Sequence, residues 1–349
     1  MPTITPKRPL RLIQVGLGGF GRNWYQTKIA PFTRVATTGF VDSSDEAMQI
    51  AQRTLGIDPA DCFATLDDAM RERECDAVVI TASLPGHVPN ALTALHAGKH
   101  VLMEKPFAPS VAEARAVVRA ASDAERTLMI SQNYRFFPAP ILAARIVSEE
   151  RLGRLGVVHV DFRRDHVAFS EGRKRHYQLP HPLLADMAIH HFDLMRMVAA
   201  TDARRVRCHS FQPPWSHYND APAAEAVIEM ESGVVVTYRG SWVSPGSVTP
   251  WAGEWHLEFE RGEVWFASRG DDTPGADEVW IRRVGKEPKR QALPAMRYVD
   301  RSGSLNEFVN AIRDGREPVS SGNANIGSIA LTYAAIAATE SGDWESVER

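Results

Sequence analysis

The chain has 349 residues, of which 44% are hydrophobic and 24% charged, and both values are ordinary for a folded globular protein. Its formal net charge of −3 provides no overall field to attract nucleic acid or an acidic membrane, so we expect neither as a partner. The length predicts two domains, residues 1–133 and residues 134–349, and the last helices (about 304–340) are candidates for packing back on the first domain.

Cysteine usage and the absence of long apolar stretches bear on location. Cys62, Cys75 and Cys208 lie far apart without metal or redox spacing, which indicates reduced thiols. The apolar run near the N-terminus is too short for a signal sequence, and no run approaches the length of a membrane span. We therefore expect a cytoplasmic location.

Up to residue 132, short apolar runs alternate with helical patterns, which predicts a doubly wound α/β fold with a parallel sheet. The predicted strands are residues 11–15, 35–41, 77–81, 100–103 and 127–131. Their apolar runs are continuous, as in strands that are buried on both faces. Ser43 with Glu46, and Ser110 with Glu113, fit the capping box and predict two of the helix starts.

The first strand runs into a glycine-rich turn, Gly16-Leu17-Gly18-Gly19-Phe20-Gly21. In the dinucleotide pattern, Gly16 permits the tight turn, Gly18 lets the backbone approach a pyrophosphate, and Gly21 lets the next helix pack closely. Asp42 closes the second strand, where a carboxylate can accept hydrogen bonds from ribose hydroxyls and would repel a 2′-phosphate. The pattern predicts NAD(H) rather than NADP(H), and its alternative is an ordinary turn without a ligand.

Glu104-Lys105-Pro106 follows the fourth predicted strand. Ligands of open α/β sheets bind beyond the carboxyl ends of the strands, so Lys105 is expected near the nicotinamide and the substrate. Pro106 biases Lys105 away from helical geometry and is compatible with a cis bond. A lysine here can hydrogen-bond a substrate hydroxyl and take part in proton transfer, and the alternative is a surface lysine in a turn.

After Gln132 the pattern becomes alternating, which predicts an α+β domain on a largely antiparallel sheet. Hairpin turns are predicted at Glu231-Ser232-Gly233 and Arg261-Gly262. The expected strands are residues 156–163, 205–211, 224–230, 233–242, 254–259, 262–267 and 278–283. The expected helices are residues 140–150, 184–200, 305–314 and 325–340, with Ser304 and Glu307 as a capping box and Gly315 as a stop.

Asp186, His190 and Asp193 have spacings of four and seven, which predicts one helix face. A carboxylate one turn from an imidazole can fix its tautomer and stabilise its protonated form, as a proton shuttle requires. A solvent-facing polar stripe is the alternative. A metal site that also uses His181 and His191 is disfavoured, because adjacent histidines point apart and no recognised ligand spacing is present, so we predict no metal.

These motifs, with the helix signal that begins at His87, resemble those of the glucose–fructose oxidoreductase/inositol dehydrogenase (Gfo/Idh/MocA) family over almost the whole chain. The resemblance implies an N-terminal Rossmann domain and a C-terminal domain with an open mixed sheet. The exposed face of that sheet commonly forms the subunit interface, which implies a homodimer or homotetramer. It also implies hydride transfer at a carbinol carbon of a sugar, polyol or nucleotide sugar.

The resemblance also assigns roles to residues. Lys105 and His190 become the proton-transfer candidates, with Asp186 as the partner of His190. The expected cofactor contacts are Gly16, Gly18, Gly19, Phe20, Gly21, Asp42, Thr81, His87, Glu104 and Lys105. The expected substrate contacts are Asn133, Tyr134 and Asp193. Trp242 is a further candidate because flat aromatic rings suit the apolar faces of sugars, although core or interface packing would equally explain the tryptophans at 242, 251 and 255.

We therefore predict an NAD-dependent dehydrogenase that acts on a secondary hydroxyl of a sugar-like substrate. One alternative is an NAD-dependent enzyme that processes glycosides through transient oxidation. Another is a dinucleotide-binding sensor without catalysis. The joint presence of Lys105, Asp186 and His190 counts against the sensor, because a sensor needs only the residues of the first domain.

Overall fold

The computed structural model describes residues 8–165, 176–270 and 277–349, which divide into two compact units. Unit 1 contains the residues up to Gln132 together with Arg301–Asn325. Unit 2 contains Asn133–Asp300 together with Ile326–Arg349. Among the described residues, no helix combines the length and apolar character that a membrane crossing requires.

Unit 1 is built on a parallel sheet whose described part has six strands in the order β3-β2-β1-β4-β5-β6. The strands are β1 (Leu10–Val15), β2 (Val35–Val41), β3 (Cys62–Phe63), β4 (Ala77–Ile80), β5 (His100–Met103) and β6 (Leu128–Ile130). The predicted doubly wound fold and its strands are confirmed. Strand β3 was not predicted, because two residues are too short to form an apolar run.

The helices of the first part of unit 1 are α1 (Gly19–Trp24), α2 (Asp45–Leu55), α3 (Leu66–Glu72), α4 (Leu84–His96) and α5 (Val111–Asp123). Helix α1 continues as a π-helical turn, Tyr25–Ile29. The cap at Ser110 is confirmed, because its Oγ accepts from the Glu113 amide at 3.1 Å. The Ser43 cap is wrong by one residue: Asp42 Oδ1 accepts from the Ser44 amide, and Ser44 is the residue that caps α2.

Unit 2 carries a mixed sheet in the order β14-β13-β12-β11-β7-β10-β9-β8-β15, where β7 and β10 pair in parallel and the other neighbours are antiparallel. Its strands are β7 (Leu155–Arg163), β8 (Ala203–Phe211), β9 (Ala223–Met230), β10 (Val235–Ser241), β11 (Glu254–Phe259), β12 (Gly262–Ala267), β13 (Glu278–Arg283), β14 (Lys289–Arg290) and β15 (Glu345–Ser346). The predicted strands and both hairpins are confirmed. The short edge strands β14 and β15 were not predicted.

One face of this sheet is buried against helices α6 (Pro138–Ser148) and α7 (Ile189–Ala199). Strand β7 shows the alternation, because Val158, Val160 and Phe162 enter the core while His159 is only half-buried. The alternation of buried and partly exposed positions is typical of a sheet that is covered on one side. The homodimer or homotetramer that the resemblance implies through the exposed face stays a prediction.

The chain ends with helices α8 (Asp300–Asp314) and α9 (Gly322–Ser341). Helix α8 begins before its predicted start, so Ser304 lies inside the helix and is fully buried, and the predicted Ser304–Glu307 capping box is wrong. Glu307 instead receives two hydrogen bonds of 2.7 Å from Arg316. Gly315 ends α8 as predicted, with a φ of +62° that suits glycine.

Candidate active site

Two glycines of the turn after β1 are required by packing. Gly16 has a φ of +93°, and a Cβ on it would lie 2.3 Å from the amide nitrogen of Ala82. A Cβ on Gly21 would lie 2.0 Å from the carbonyl oxygen of Gly16. Neither position can hold a side chain without moving backbone, which explains the tight turn and the close approach of α1 to the sheet.

The two glycines between them have a different environment. A Cβ on Gly18 or Gly19 would meet no atom of the described structure within 4 Å, apart from the adjoining residues and, for Gly19, the backbone of its own helix. The loop therefore leaves open space where its backbone amides enter α1, and Phe20 beside it is 52% exposed. Open space at backbone amides is what a pyrophosphate needs, so the residues present fit a dinucleotide.

Side chains in β1 and directly after β2 and β4 hold the loop in place. Gln14 donates to the Gly21 carbonyl at 2.8 Å and to Thr81 Oγ1 at 3.1 Å. Thr81 in turn donates to the Gly16 carbonyl at 2.8 Å. Asp42 accepts from the Leu17 amide at 2.6 Å, so its carboxylate borders the loop. Sequence reasoning missed Gln14, although a polar residue inside a buried apolar run was a usable signal.

Lys105 follows β5, and a buried acid fixes the backbone beside it. Glu104 accepts from Trp24 Nε1 at 2.7 Å through one oxygen and from the Lys105 amide at 3.2 Å through the other. Burial raises the pKa of the Glu104 carboxyl. The peptide bond between Lys105 and Pro106 is cis, in agreement with the prediction that a cis bond fits here.

His87 connects the segments that follow β4 and β5. It is 2% exposed, with Nδ1 2.8 Å from the Pro106 carbonyl oxygen and Nε2 3.0 Å from that of Ala82. Burial lowers the pKa of His87. These contacts indicate that His87 positions the backbone next to Lys105, and its cofactor contact stays a prediction.

Arg301 was not identified from the sequence. Its guanidinium lies over the ring of Phe20 at 5.1 Å and over that of Trp24 at 5.7 Å, and it donates to Asn23 at 2.8 Å. These contacts join the start of α8 to α1. The two segments are far apart in the sequence, so no local sequence pattern predicts the contacts. Arg301 thus supports both the exposed Phe20 and the tryptophan that holds Glu104.

In unit 2, His190 stacks on Tyr134. The two rings are 4.1 Å apart and nearly parallel, at 7°, and both side chains are buried. Arg269 Nη1 donates to the Tyr134 hydroxyl oxygen at 2.6 Å. Burial raises the pKa of Tyr134 to about 12, so its hydroxyl stays protonated at neutral pH. The stack holds the His190 ring in one plane.

His191 points to different partners from those of His190. Burial lowers its pKa to about 4, so the ring is neutral at pH 7. Its Nε2 lies 3.0 Å from the Trp251 carbonyl oxygen and its Nδ1 lies 3.1 Å from the Tyr238 hydroxyl. In its neutral form the ring donates from Nε2 to the Trp251 carbonyl oxygen and accepts at Nδ1 from the Tyr238 hydroxyl. The first of these bonds fixes the backbone of Trp251. Trp251 contacts Trp242 with ring centroids 5.9 Å apart.

The helix that carries Asp186 differs from the prediction. Leu183–Ala188 forms a π-helical segment, and regular α-helix begins only at Ile189. A spacing of four residues places Asp186 and His190 on one face only in a regular α-helix. The wider π-helical turn changes the angle between the two positions. Asp186 is half-buried, and its partnership with His190 stays a prediction.

Other predicted substrate contacts have partners within unit 2. Asp193 is 1% exposed and accepts from Arg135 at 2.5 Å and 2.8 Å and from Ser328 at 2.7 Å. Asn133 donates to Asp300. These bonds give both residues a structural role, and their substrate contacts stay predictions.

Comparison with known proteins identifies the family. Residues 10–132 match the oxidoreductase family with an NAD-binding Rossmann fold, and residues 141–264 match the Gfo/Idh/MocA C-terminal domain. The chain belongs to the Gfo/Idh/MocA oxidoreductase family. The resemblance that the sequence motifs indicated is thereby confirmed.

Individual relatives are distant. An uncharacterised protein, y4oX of Sinorhizobium fredii, is 24% identical over 335 residues, which cover 93% of this chain and 92% of the relative. D-apiose dehydrogenase of Paraburkholderia graminis is 24% identical over 345 residues, which cover 95% and 88%. The structure of an inositol dehydrogenase homologue of Azotobacter vinelandii with NADH and myo-inositol has a TM-score of 0.80 at 18% identity, with 97% and 98% covered. The structural likeness shows the shared fold.

Proposed function

We propose that the chain is an NAD-dependent dehydrogenase that oxidises a secondary hydroxyl of a sugar, a polyol such as an inositol, or a sugar derivative. Family membership supports a dehydrogenase. The names of the relatives support the substrate class, because one acts on D-apiose and another holds NADH with myo-inositol. The choice of NAD over NADP rests on Asp42.

One observation carries the proposal. Strands β1, β4 and β5 are parallel neighbours, so their carboxyl ends lie along one edge of the sheet. This edge bears the open glycine loop after β1, Thr81 after β4 and Lys105 after β5. A dinucleotide site and a proton-transfer lysine therefore belong to the same edge, as expected for ligands of a doubly wound sheet.

The residues of the loop would hold the cofactor. The amides at Gly18 and Gly19 would bind the phosphates, and Asp42 would accept from the ribose hydroxyls. When bound, the nicotinamide ring supplies the acceptor for the hydride that leaves the carbinol carbon. A 2′-phosphate would meet the carboxylate of Asp42, which disfavours NADP.

Proton transfer is assigned to Lys105 and His190. The hydroxyl proton of the substrate passes to one of these two side chains as the hydride leaves. Where His190 accepts the proton, Lys105 in its cationic form would stabilise the developing alkoxide. Tyr134 keeps the His190 ring oriented, and Asp186 is proposed to stabilise its protonated form.

The test begins with fluorescence titrations of the purified protein with NADH and with NADPH. A panel of sugars, polyols and sugar acids is then followed by NADH formation at about 340 nm. The proposal expects tighter binding of NADH and at least one substrate that produces NADH. Tighter binding of NADPH would contradict the assignment of Asp42, and absence of binding to either would overturn the proposal.

Two further outcomes separate the alternatives. Turnover of a glycoside without net NADH formation would favour a glycoside-processing enzyme that uses transient oxidation. NADH binding without turnover of any member of the panel, extended to nucleotide sugars, would favour a sensor. Both outcomes would reject the dehydrogenase and leave the cofactor site in place.

A further inference from the structure

A cluster of two histidines and one glutamate lies on the half-exposed face of the unit 2 sheet. His159 on β7 and His256 on β11 are directly opposite each other in the antiparallel pair, and their rings are 5.9 Å apart. Glu258 follows two residues after His256, so it projects from the same face. Each side chain offers one ligand atom, and the three atoms lie within 4.8 Å of one another.

Each histidine has a partner that fixes one ring nitrogen. His159 Nδ1 is 2.7 Å from Thr237 Oγ1 on the neighbouring strand β10. His256 Nε2 is 2.7 Å from Glu263, whose other oxygen lies 2.6 Å from Arg282. When these nitrogens carry the protons, His159 Nε2 and His256 Nδ1 each present a lone pair. Metal-bound histidines typically have such a partner on the second nitrogen.

Two other acids of this face, Asp161 and Glu254, are already paired. The Asp161 carboxylate forms an ion pair with Arg239 at 2.6 Å, and the Glu254 carboxylate forms one with Arg163 at 3.2 Å. Glu258 instead lies 3.5 Å from His159 Nε2. Zinc bonds of about 2.0–2.2 Å in tetrahedral geometry place neighbouring ligand atoms about 3.3–3.6 Å apart, so this pair already has the required separation.

We propose that His159, His256 and Glu258, a cluster that the sequence did not predict, bind a divalent transition-metal ion of the zinc class. Two imidazoles and one carboxylate are ligands that such an ion accepts, and water would complete a tetrahedral shell. The ion would join β7 to β11 as a cross-strand clip. None of these residues takes part in the proposed dehydrogenase chemistry, so the two proposals stand independently.

The test uses full-length protein without an affinity tag, treated with a chelator and then freed of it. Zn²⁺ affinity is measured by competition with a chromophoric chelator, and Co²⁺ is added separately to record the visible spectrum of the bound ion. The variants are His159→Ala, His256→Ala and Thr237→Val. His209→Ala is the matched control, because His209 lines the same concavity but lies outside the cluster.

The proposal expects one Zn²⁺ per chain and a tetrahedral Co²⁺ spectrum in the wild type. Both ligand variants should lose binding, Thr237→Val should bind about 10-fold more weakly, and His209→Ala should match the wild type. Zn²⁺ should raise the Tm of the wild type and leave that of His159→Ala unchanged. Circular dichroism checks that the variants are folded.

Two results would overturn the proposal. Wild-type protein that binds Zn²⁺ no more tightly than His159→Ala would show that the cluster forms only His159–Glu258 and His256–Glu263 ion pairs. Equal loss of binding in His209→Ala and in the ligand variants would show adventitious binding by surface histidines. Either result would leave the cofactor-binding experiments unaffected.

Discussion

The glycine loop of unit 1 and the Tyr134–His190 stack of unit 2 reach defined geometry in different ways. The loop depends on backbone: Gly16 and Gly21 are fixed by contacts of 2.3 Å and 2.0 Å that a Cβ would make. The stack depends on side chains that are distant in sequence, because Arg269 reaches Tyr134 from 135 positions away. The residues that shape the loop lie within one short segment of the sequence. The residues of the stack come together only when the sheet of unit 2 has formed.

The difference predicts how each region responds to substitution. A change in the loop should act on cofactor binding or on folding, according to which glycine is replaced. A change at the stack should act on the chemical step, because His190 has a proposed part in proton transfer. The following experiments test that division, in order of decreasing effect.

Among the substitutions in the loop and the stack, replacement of His190 should have the largest effect on turnover. His190→Ala is expected to lower kcat by about 10²–10⁴-fold, because it removes a proposed proton-transfer group. NADH affinity should change little, whereas the Tm should fall, because the substitution removes a buried ring that stacks on Tyr134. The measurement is steady-state kinetics on the best substrate of the panel, with His209→Ala as a control. A rise in KM with normal kcat would instead make His190 a binding residue.

Two glycines of one loop should give opposite results. Gly21→Ala is expected to destabilise the protein by about 3 kcal/mol, because its Cβ would overlap the Gly16 carbonyl. Gly18→Ala should leave the free energy of unfolding within about 0.5 kcal/mol, since its Cβ meets open space.

Gly18→Ala should nevertheless weaken NADH binding by about 10-fold or more, or about 1.4 kcal/mol, if phosphates approach the backbone there. Urea denaturation and NADH titration of both variants measure the two effects. Unchanged NADH affinity in Gly18→Ala would contradict the assignment of this open space to the cofactor.

Buried His191 predicts a smaller, pH-dependent effect. Its pKa is about 4 in the folded protein and about 6.5 when unfolded, so the unfolded state binds more protons between these values. The folded state is therefore fully favoured above pH 6.5 and loses stability as pH falls toward 4, by about 2 kcal/mol at pH 5.

His191→Gln should remove this contribution, so its free energy of unfolding should fall less than that of the wild type between pH 7 and pH 5. Urea denaturation at both pH values gives the comparison. His100 in unit 1, whose pKa is also lowered to about 4 by burial, contributes equally to both proteins. Identical losses in wild type and variant would contradict the buried neutral state of His191.

Much of the fold was predictable because its signals are local. Continuous apolar runs predicted the buried parallel strands, and alternation predicted strands such as β7 and β11. Gly315 predicted the end of α8, because a glycine that follows a helix is also a local signal. The start of α8 was mispredicted because Ser304 satisfies the capping pattern while packing carries the helix back to Asp300.

The candidate site was predictable in part. Gly16, Gly21 and Lys105 lie at strand ends, where sequence position alone predicts location. Arg301, Arg269 and the environment of His191 were not predictable, because their contacts join segments that are far apart along the chain. The π-helical segment at Leu183–Ala188 was also missed, since no composition signal separates it from an α-helix.

The measurement that tests the central claim most directly is the comparison of turnover and NADH affinity in Lys105→Met. Lys286→Met, at an exposed lysine, is the matched control. We expect kcat to fall by about 10²–10⁴-fold while the NADH dissociation constant stays near that of the wild type. Near-normal kcat in Lys105→Met would contradict the assignment of Lys105 to proton transfer.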